Sequence, residues 1–421
     1  MCQYMPFSSK KPFLSADEVS RILGVEMQTV YAYVSRGLLH SEAGGSKDRS
    51  KRYRREDVEQ LLLRREERAQ PGKTAKAALT LGQPVLESSI TLLGENTLYY
   101  RGKDVLSLSE GSTFEETATL LWEAENISPF EAAWPALSEE NLNLRKNLGS
   151  RSILDICRMQ LAFVEYEDPK AFRQDSKTFR KTASHILRCL TLFASRKNTS
   201  YGSISETLYS GWIEENSPDS ERKRNAIRLL EASLILSADH ELNVSSFTAR
   251  CVASSEASLY QVTLAGLAAL SGPKHGLLTE KAADLLSHAS GNPKKDRSFL
   301  EEKLRNGENI PGFGHPLYRK GDPRGKKIIE LVSRLFSQNR NLEKYLIFLK
   351  EAEKILEDYP TIDAGLGLVS RILQLPKGAG IGIFAIGRSA GWLAHAIEQY
   401  EAGNLIRPRA KYVGRLPEEN G

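Results

Sequence analysis

The chain has 421 residues, 40% hydrophobic and 26% charged, a composition that suits a soluble globular protein of more than one domain. No apolar run approaches the roughly 20 residues a membrane helix needs, and the opening MCQYMPFSSKKPF lacks an apolar signal core, so a cytoplasmic protein without membrane contact is expected. The net charge of +5 lies entirely within residues 1–80, which hold 15 Lys/Arg against 10 Asp/Glu, and an acidic partner such as nucleic acid is expected there.

Residues 12–68 carry an apolar period near 3.6. Ser15 with Glu18 forms a capping box for a first helix, with Val19, Ile22 and Leu23 on one face. Gly24 ends that helix and opens a tight turn. A second helix over Met27–Ser35 sends Val30 and Val34 inward and leaves Gln28, Thr29, Tyr31 and Arg36 outside. Two short helices around a glycine turn predict a helix-turn-helix. Arg49–Arg55 then holds five basic residues in seven, and Glu56–Val58 starts a further helix ending near Arg68.

The runs LSADEVSRILGV, TVYAYVSRGLL and RYRREDVEQLL resemble the MerR/excisionase-like winged DNA-binding domains. That reading sets Gln28, Thr29, Tyr31 and Tyr33 near base edges and Arg52, Arg54 and Arg55 on phosphates. The alternative is a solvated basic loop beside a protein-docking domain. Residues 1–68 therefore read as the helix-turn-helix domain and residues 69–85, rich in Pro, Gly, Ala and Lys, as a linker.

Beyond the linker the chain reads as mainly α. Strands are expected only at Ile90–Leu93 and Thr97–Tyr100, and helices over Phe114–Trp122, Asn225–Asp239, Phe247–Leu270 and Leu342–Tyr359. Residues 195–225, rich in Ser, Asn and Glu, read as a surface excursion. Cys2, Cys157, Cys189 and Cys251 show no metal-ligand spacing and read as free thiols; no metal site is expected. Three of the seven histidines stand in tight settings: Asp239-His240-Glu241, Gly272-Pro-Lys-His275-Gly276 and Pro311-Gly-Phe-Gly-His315-Pro316. Glycine beside histidine lets a backbone approach a ligand closely. His288, His395 and Trp392 fall on helical patterns and read as structural.

With those histidines come Ser88-Ser-Ile-Thr, ADHELN, GPKHG, GFGHPLYRKGDPRG, IDAGLG, FAIGRSAGWLAHAIEQ and IRPRAKYVG, in an order that resembles the citrate synthase family. The resemblance implies a two-domain helical fold behind the winged helix-turn-helix domain. Residues 86–275 and 375–421 would form the large domain and 276–374 the small one. It implies Asp363 as the base on acetyl-CoA, His275 as the group stabilising the enol, and His315 as the group polarising the keto carbon of oxaloacetate. Arg324, Arg388 and Arg407 would bind carboxylates, Arg407 reaching in from the partner of a homodimer. His240 would add a substrate contact, and Arg319 and Lys320 would meet CoA phosphates. No cofactor beyond the acyl-CoA substrate is implied.

Two departures from the family pattern stand out. Leu277-Leu278 follow Gly276 where small residues are usual, and Thr361 replaces the usual Asn two before the base. Two other readings stay open: a 2-methylcitrate synthase using propionyl-CoA, and a DNA-binding regulator whose body senses oxaloacetate or acyl-CoA.

Overall fold

The computed structural model describes residues 13–35, 38–43, 51–55, 57–58, 61, 86–94, 96–173, 175–213, 220–410 and 412–415. The chain divides into two units, Met1–Glu87 and Ser88–Gly421.

In the first unit, β1 (Phe13–Ser15) leads into α1 (Ala16–Leu23). The Ser15 hydroxyl accepts from the Glu18 amide at 3.2 Å, and the Glu18 carboxylate accepts from the Ser15 amide at 2.7 Å. Two orphan donors are thus satisfied, a cap worth about 1 kcal/mol. Gly24, at φ +58°, ends the helix in a left-handed turn that favours glycine. Then come α2 (Met27–Ser35), β2 (Ser41–Ala43) and β3 (Lys51–Arg54), with antiparallel order β1-β3-β2.

Leu14, Val19, Leu23, Val30, Leu39, Tyr53 and Val58 form a small core. Ile22, expected on the inner face, is 39% exposed. Val19 and Leu23, four apart, already fill the stripe the sheet leaves open. Arg36, Arg49, most of the helix expected over 56–68, and the linker 69–85 lie outside the described residues.

The second unit starts with a three-stranded antiparallel sheet: β4 (Thr91–Leu93), β5 (Leu98–Tyr100) and β6 (Lys103–Asp104). The rest of it is helical. The helices are α3 (Val105–Gly111), α4 (Phe114–Leu121), α5 (Glu139–Leu148), α6 (Ile153–Glu167), α7 (Ser176–Ser195) and α8 (Ile204–Trp212). Next come α9 (Ser220–Ser237), α10 (Val244–Ala253), α11 (Leu259–Leu270), α12 (Leu277–Leu286), α13 (Pro293–Arg305) and α14 (Pro323–Leu335). The last are α15 (Leu342–Leu356), α16 (Ile362–Ile372) and α17 (Ala379–Ala402). None of the described helices is long and apolar enough to cross a membrane.

Helix α17 is buried along most of its length, as its Ala, Gly and Ile content requires, and packs against α7, α9, α10 and α11. A Cβ on Gly391 would lie 2.4 Å from the Ala238 carbonyl oxygen. Only glycine lets the helix come close enough for Gly391 N to donate to that oxygen at 3.0 Å. On the other side, α12 and α14 pack on α16, and α13 packs on α15.

Two expectations change. The stretch Phe247–Leu270 is not one helix but α10 and α11, parted by a turn in which Glu256 adopts φ +62° and Ser258 caps the second helix. The polar stretch 195–225 contains α8, whose Ile204, Leu208 and Trp212 are buried at helical spacing among Ser and Glu. Residues 214–219 lie outside the described residues.

Candidate active site

The loop after α9 is held from behind by the β-hairpin. The Asp239 amide donates to the Tyr100 hydroxyl at 3.0 Å, and the Thr91 hydroxyl donates to Asp239 Oδ2 at 2.6 Å. His395 Nε2 lies 3.3 Å from Asp239 Oδ1, without hydrogen-bond geometry. This support fixes His240, which is buried and whose Nε2 lies 2.9 Å from the Tyr318 hydroxyl. His315 meets His240 edge-on, with ring centroids 5.2 Å apart, and Tyr318 at 5.0 Å.

The electrostatics keep these rings neutral. Burial, then the nearby Arg324 charge, pulls His240 well below the usual imidazole range and His315 down to about 4. His315 Nδ1 accepts from the Leu317 amide at 3.2 Å. A neutral ring with Nδ1 as acceptor carries its proton on Nε2, which is therefore free to donate to a substrate oxygen.

Two buried guanidinium groups adjoin them. Arg324, on the first turn of α14, clasps Asp322 through Nε and Nη2, both at 2.9 Å. Asp322 is the N-cap of α14, followed by Pro323 at the first helical position, and its Oδ2 also accepts from the Ile362 amide at 3.0 Å. One carboxylate thus ties Arg324 to the start of α16. Arg388 is 1% exposed; its Nε donates to the Ser237 carbonyl at 2.8 Å and its plane lies over the Phe384 ring at 4.7 Å. Its Nη2 is buried without a partner. Burial lowers the Arg388 pKa to about 10, so it stays charged at neutral pH. A buried guanidinium with an unused donor suits an incoming carboxylate.

His275 closes the other side. Burial, with the Arg388 charge, lowers its pKa to about 4. Its Nε2 lies 2.9 Å from Ser245 Oγ, which also accepts from Trp392 Nε1 at 3.1 Å and donates to Asn243 Oδ1 at 2.7 Å. When the Ser245 proton turns to Nε2 instead, the neutral His275 ring carries its own proton on Nδ1, the other face of the ring. Thr279 lies one turn after His275 and donates to Asp363 Oδ1 at 2.5 Å. Asp363 stands at the second position of α16, where the Thr361 hydroxyl accepts from its amide at 3.3 Å. Thr361 thus serves as N-cap, which explains why it can stand where Asn is usual. Burial raises the Asp363 pKa, against the pull of Thr279 and Arg324.

His240, His315, Arg324 and Arg388 therefore converge. His275 and Asp363 join them through Arg388, Thr279 and Asp322. Arg319 and Lys320 are exposed on the loop after Tyr318. Arg407 is exposed beyond the end of α17, on a tail that also exposes Leu405, Tyr412 and Val413. Leu277 turns onto the hydrophobic core at the start of α12, and Leu278 is half-buried. Among the described residues no group of three or more His, Cys, Asp or Glu is arranged to hold a metal ion.

In the first unit, Gln28, Tyr31 and Arg52 are exposed, while Thr29 and Arg55 are half-buried. Tyr33 packs against the small core, and Arg54 pairs with Glu42 at 2.8 Å. Tyr318, Asp322, Ser245 and Thr279 went unremarked in the sequence. The first two sit inside the quoted GHPLYRKGDPRG run, where Asp-Pro already signals a helix start.

The chain matches the family model described as citrate synthase, C-terminal domain, over residues 80–409, and a helix-turn-helix domain model over 13–66. It is 30% identical to citrate synthase 2 of Bacillus subtilis, over 78% of this chain and 93% of that protein. It is also 30% identical to 2-methylcitrate synthase 2 of Corynebacterium glutamicum, over 77% and 90%. A Thermotoga maritima citrate synthase structure superposes with TM-score 0.64 at 26% identity, covering 80% of this chain and 96% of that one. A Thermoplasma acidophilum citrate synthase, in ternary complex with carboxymethyl coenzyme A and oxaloacetate, shares the fold with TM-score 0.67 at 21% identity, covering 80% and 96%. The chain belongs to the citrate synthase family: it is a citrate synthase-like enzyme carrying a helix-turn-helix domain ahead of its catalytic body.

Proposed function

We propose that this enzyme condenses acetyl-CoA with oxaloacetate to give citrate and CoA. The observation that carries the reading is the buried Arg388 guanidinium with its unpartnered Nη2, beside the neutral pair His240 and His315. Arg324 and Arg388 take the carboxylates of oxaloacetate, with Arg407 supplied by the second subunit of a homodimer. His315 Nε2–H and His240 polarise the keto group. His275 donates from Nδ1 to the thioester oxygen while Asp363 removes a methyl proton. The enol carbon bonds to the keto carbon, and water then cleaves the citryl thioester to release CoA. Arg319 and Lys320, both exposed, are the proposed contacts for the CoA phosphates. Release of CoA from acetyl-CoA and oxaloacetate by the purified protein tests this. No release above background from folded dimer would reject it.

The equal likeness to a 2-methylcitrate synthase supports propionyl-CoA as the alternative thioester. One methylene shifts discrimination by only about 1–3 kcal/mol in an apolar pocket, so rates on the two thioesters decide between them. The helix-turn-helix match supports a second role in DNA binding, with Gln28, Tyr31 and Arg52 as outward contacts. A gel shift that responds to oxaloacetate or acyl-CoA and disappears on deletion of residues 1–80 supports that role. Unchanged binding after the deletion rejects it.

A further inference from the structure

Many helical hydroxyls in this protein donate to a carbonyl three or four residues back in their own helix. Ser233 donates to Leu229, Thr263 to Leu259 and Ser389 to Ala385, at 2.7–2.8 Å. Thr279 on α12 does not. It is wholly buried, and its hydroxyl crosses to Asp363 Oδ1 on α16. The next residue locks that geometry. Glu280 Oε2 accepts from the Gly378 amide at 3.0 Å and Oε1 from the Ile381 amide at 3.2 Å. The first turn of α12 is thereby pinned to the start of α17, whose Gly378 cap offers no side chain of its own.

We propose that Thr279 is the positioning residue for the base: it immobilises the Asp363 carboxylate through Oδ1 and leaves Oδ2 to receive the substrate proton. This rests on the condensing reading above. Oδ2 has only a 3.5 Å contact from the Thr361 hydroxyl, while Oδ1 holds the short bond. In the step itself, the C–H pair becomes the enol double bond and the proton passes to Oδ2.

The hydroxyl also favours the charged carboxylate. The other charges acting on Asp363 are Arg324 and Asp322 at the start of α14, and Arg388 on α17. Of the two acids on α12, Glu280 is engaged with the two α17 amides and Asp284 lies 3.8 Å from Arg371. Of the two neutral donors to the carboxyl, Thr279 is thus the stronger, with Thr361 reaching Oδ2 only at 3.5 Å.

The test compares wild type with T279V, which keeps the shape and removes the donor, and T279S, which restores it. The pH dependence of CoA release is followed together with a ¹³C titration of labelled aspartate carboxyls, in which D363N identifies the Asp363 resonance. T279V should move the acid limb of turnover, and the Asp363 titration, upward by about half a pH unit or more, with T279S returning both towards wild type. A T279V protein that titrates and turns over like wild type overturns the proposal. If wild type releases no CoA, the condensing reading falls, and the carboxyl titration alone decides what Thr279 does. T279S also guards against a T279V protein that fails to fold.

Discussion

The proposed condensation asks a carboxylate to take a proton from a thioester methyl, and burial raises the pKa of Asp363, the carboxylate proposed for that step. Positioned general bases contribute about 10²–10⁴-fold, so Asp363→Ala should lower CoA release by at least that range, with the fold unchanged by circular dichroism. Arg388→Gln removes a charge-assisted donor worth about 1.5–3 kcal/mol, so the KM for oxaloacetate should rise roughly 10- to 100-fold while that for acetyl-CoA changes far less. Steady-state kinetics in both substrates check this. At this scale the glycine-flanked histidines stand out by their local runs, whereas Asp363, by itself an ordinary helix-start acid, is singled out only by the family resemblance. Ser245 and Thr279 were legible in neither way. Their work is defined by partners 30 residues away at His275 and 84 residues away at Asp363, and no local spacing announces such a pairing.

Glycines decide how close the elements come. A methyl on Gly391 would meet the Ala238 carbonyl and the Asp239 carboxylate at 2.4 Å, in a place where backbone must give way. Gly391→Ala should cost about 1–3 kcal/mol of stability, seen as a lowered Tm, and should raise the KM for oxaloacetate because the His240 loop moves with Ala238. Helices with strong periodicity, such as α4, α9 and α15, were readable from sequence. The break between α10 and α11 was hidden because Ser-Ser-Glu-Ala-Ser lacks glycine and proline, and Glu256 takes the left-handed turn instead. Helix α8 was hidden because its buried Ile204, Leu208 and Trp212 are outnumbered by polar neighbours.

For the molecule as a whole, acid is the expected weakness. His275 and His315 take up protons near pH 6.5 when unfolded but only near 4 when folded. Between those values the unfolded chain binds more protons, so stability rises with pH and is lost on acidification. Going from pH 7 to 5 should cost on the order of 2 kcal/mol for each histidine, and His315→Asn should flatten the fall in Tm across that interval. Subunit exchange tests the assembly. If Arg407 serves the neighbouring subunit, mixing inactive Asp363→Ala chains with impaired Arg407→Ala chains makes mixed dimers with one intact site each. Random exchange would restore about a quarter of wild-type activity; no recovery would place Arg407 in its own subunit's site.

The hairpin that supports Asp239 also limits where the chain can be cut. Ser89 binds Glu398 on α17 at 2.8 Å, and Thr91 and Tyr100 brace the loop that carries His240. A truncation ending at residue 80 spares all three anchors, whereas one reaching residue 100 removes them and leaves a fully buried aspartate with its hydroxyl partners gone. Shortened proteins made to isolate the enzyme from its N-terminal domain therefore have a narrow safe window, and inactivity of a version begun past Thr91 would speak of a lost buttress, not of communication between domains.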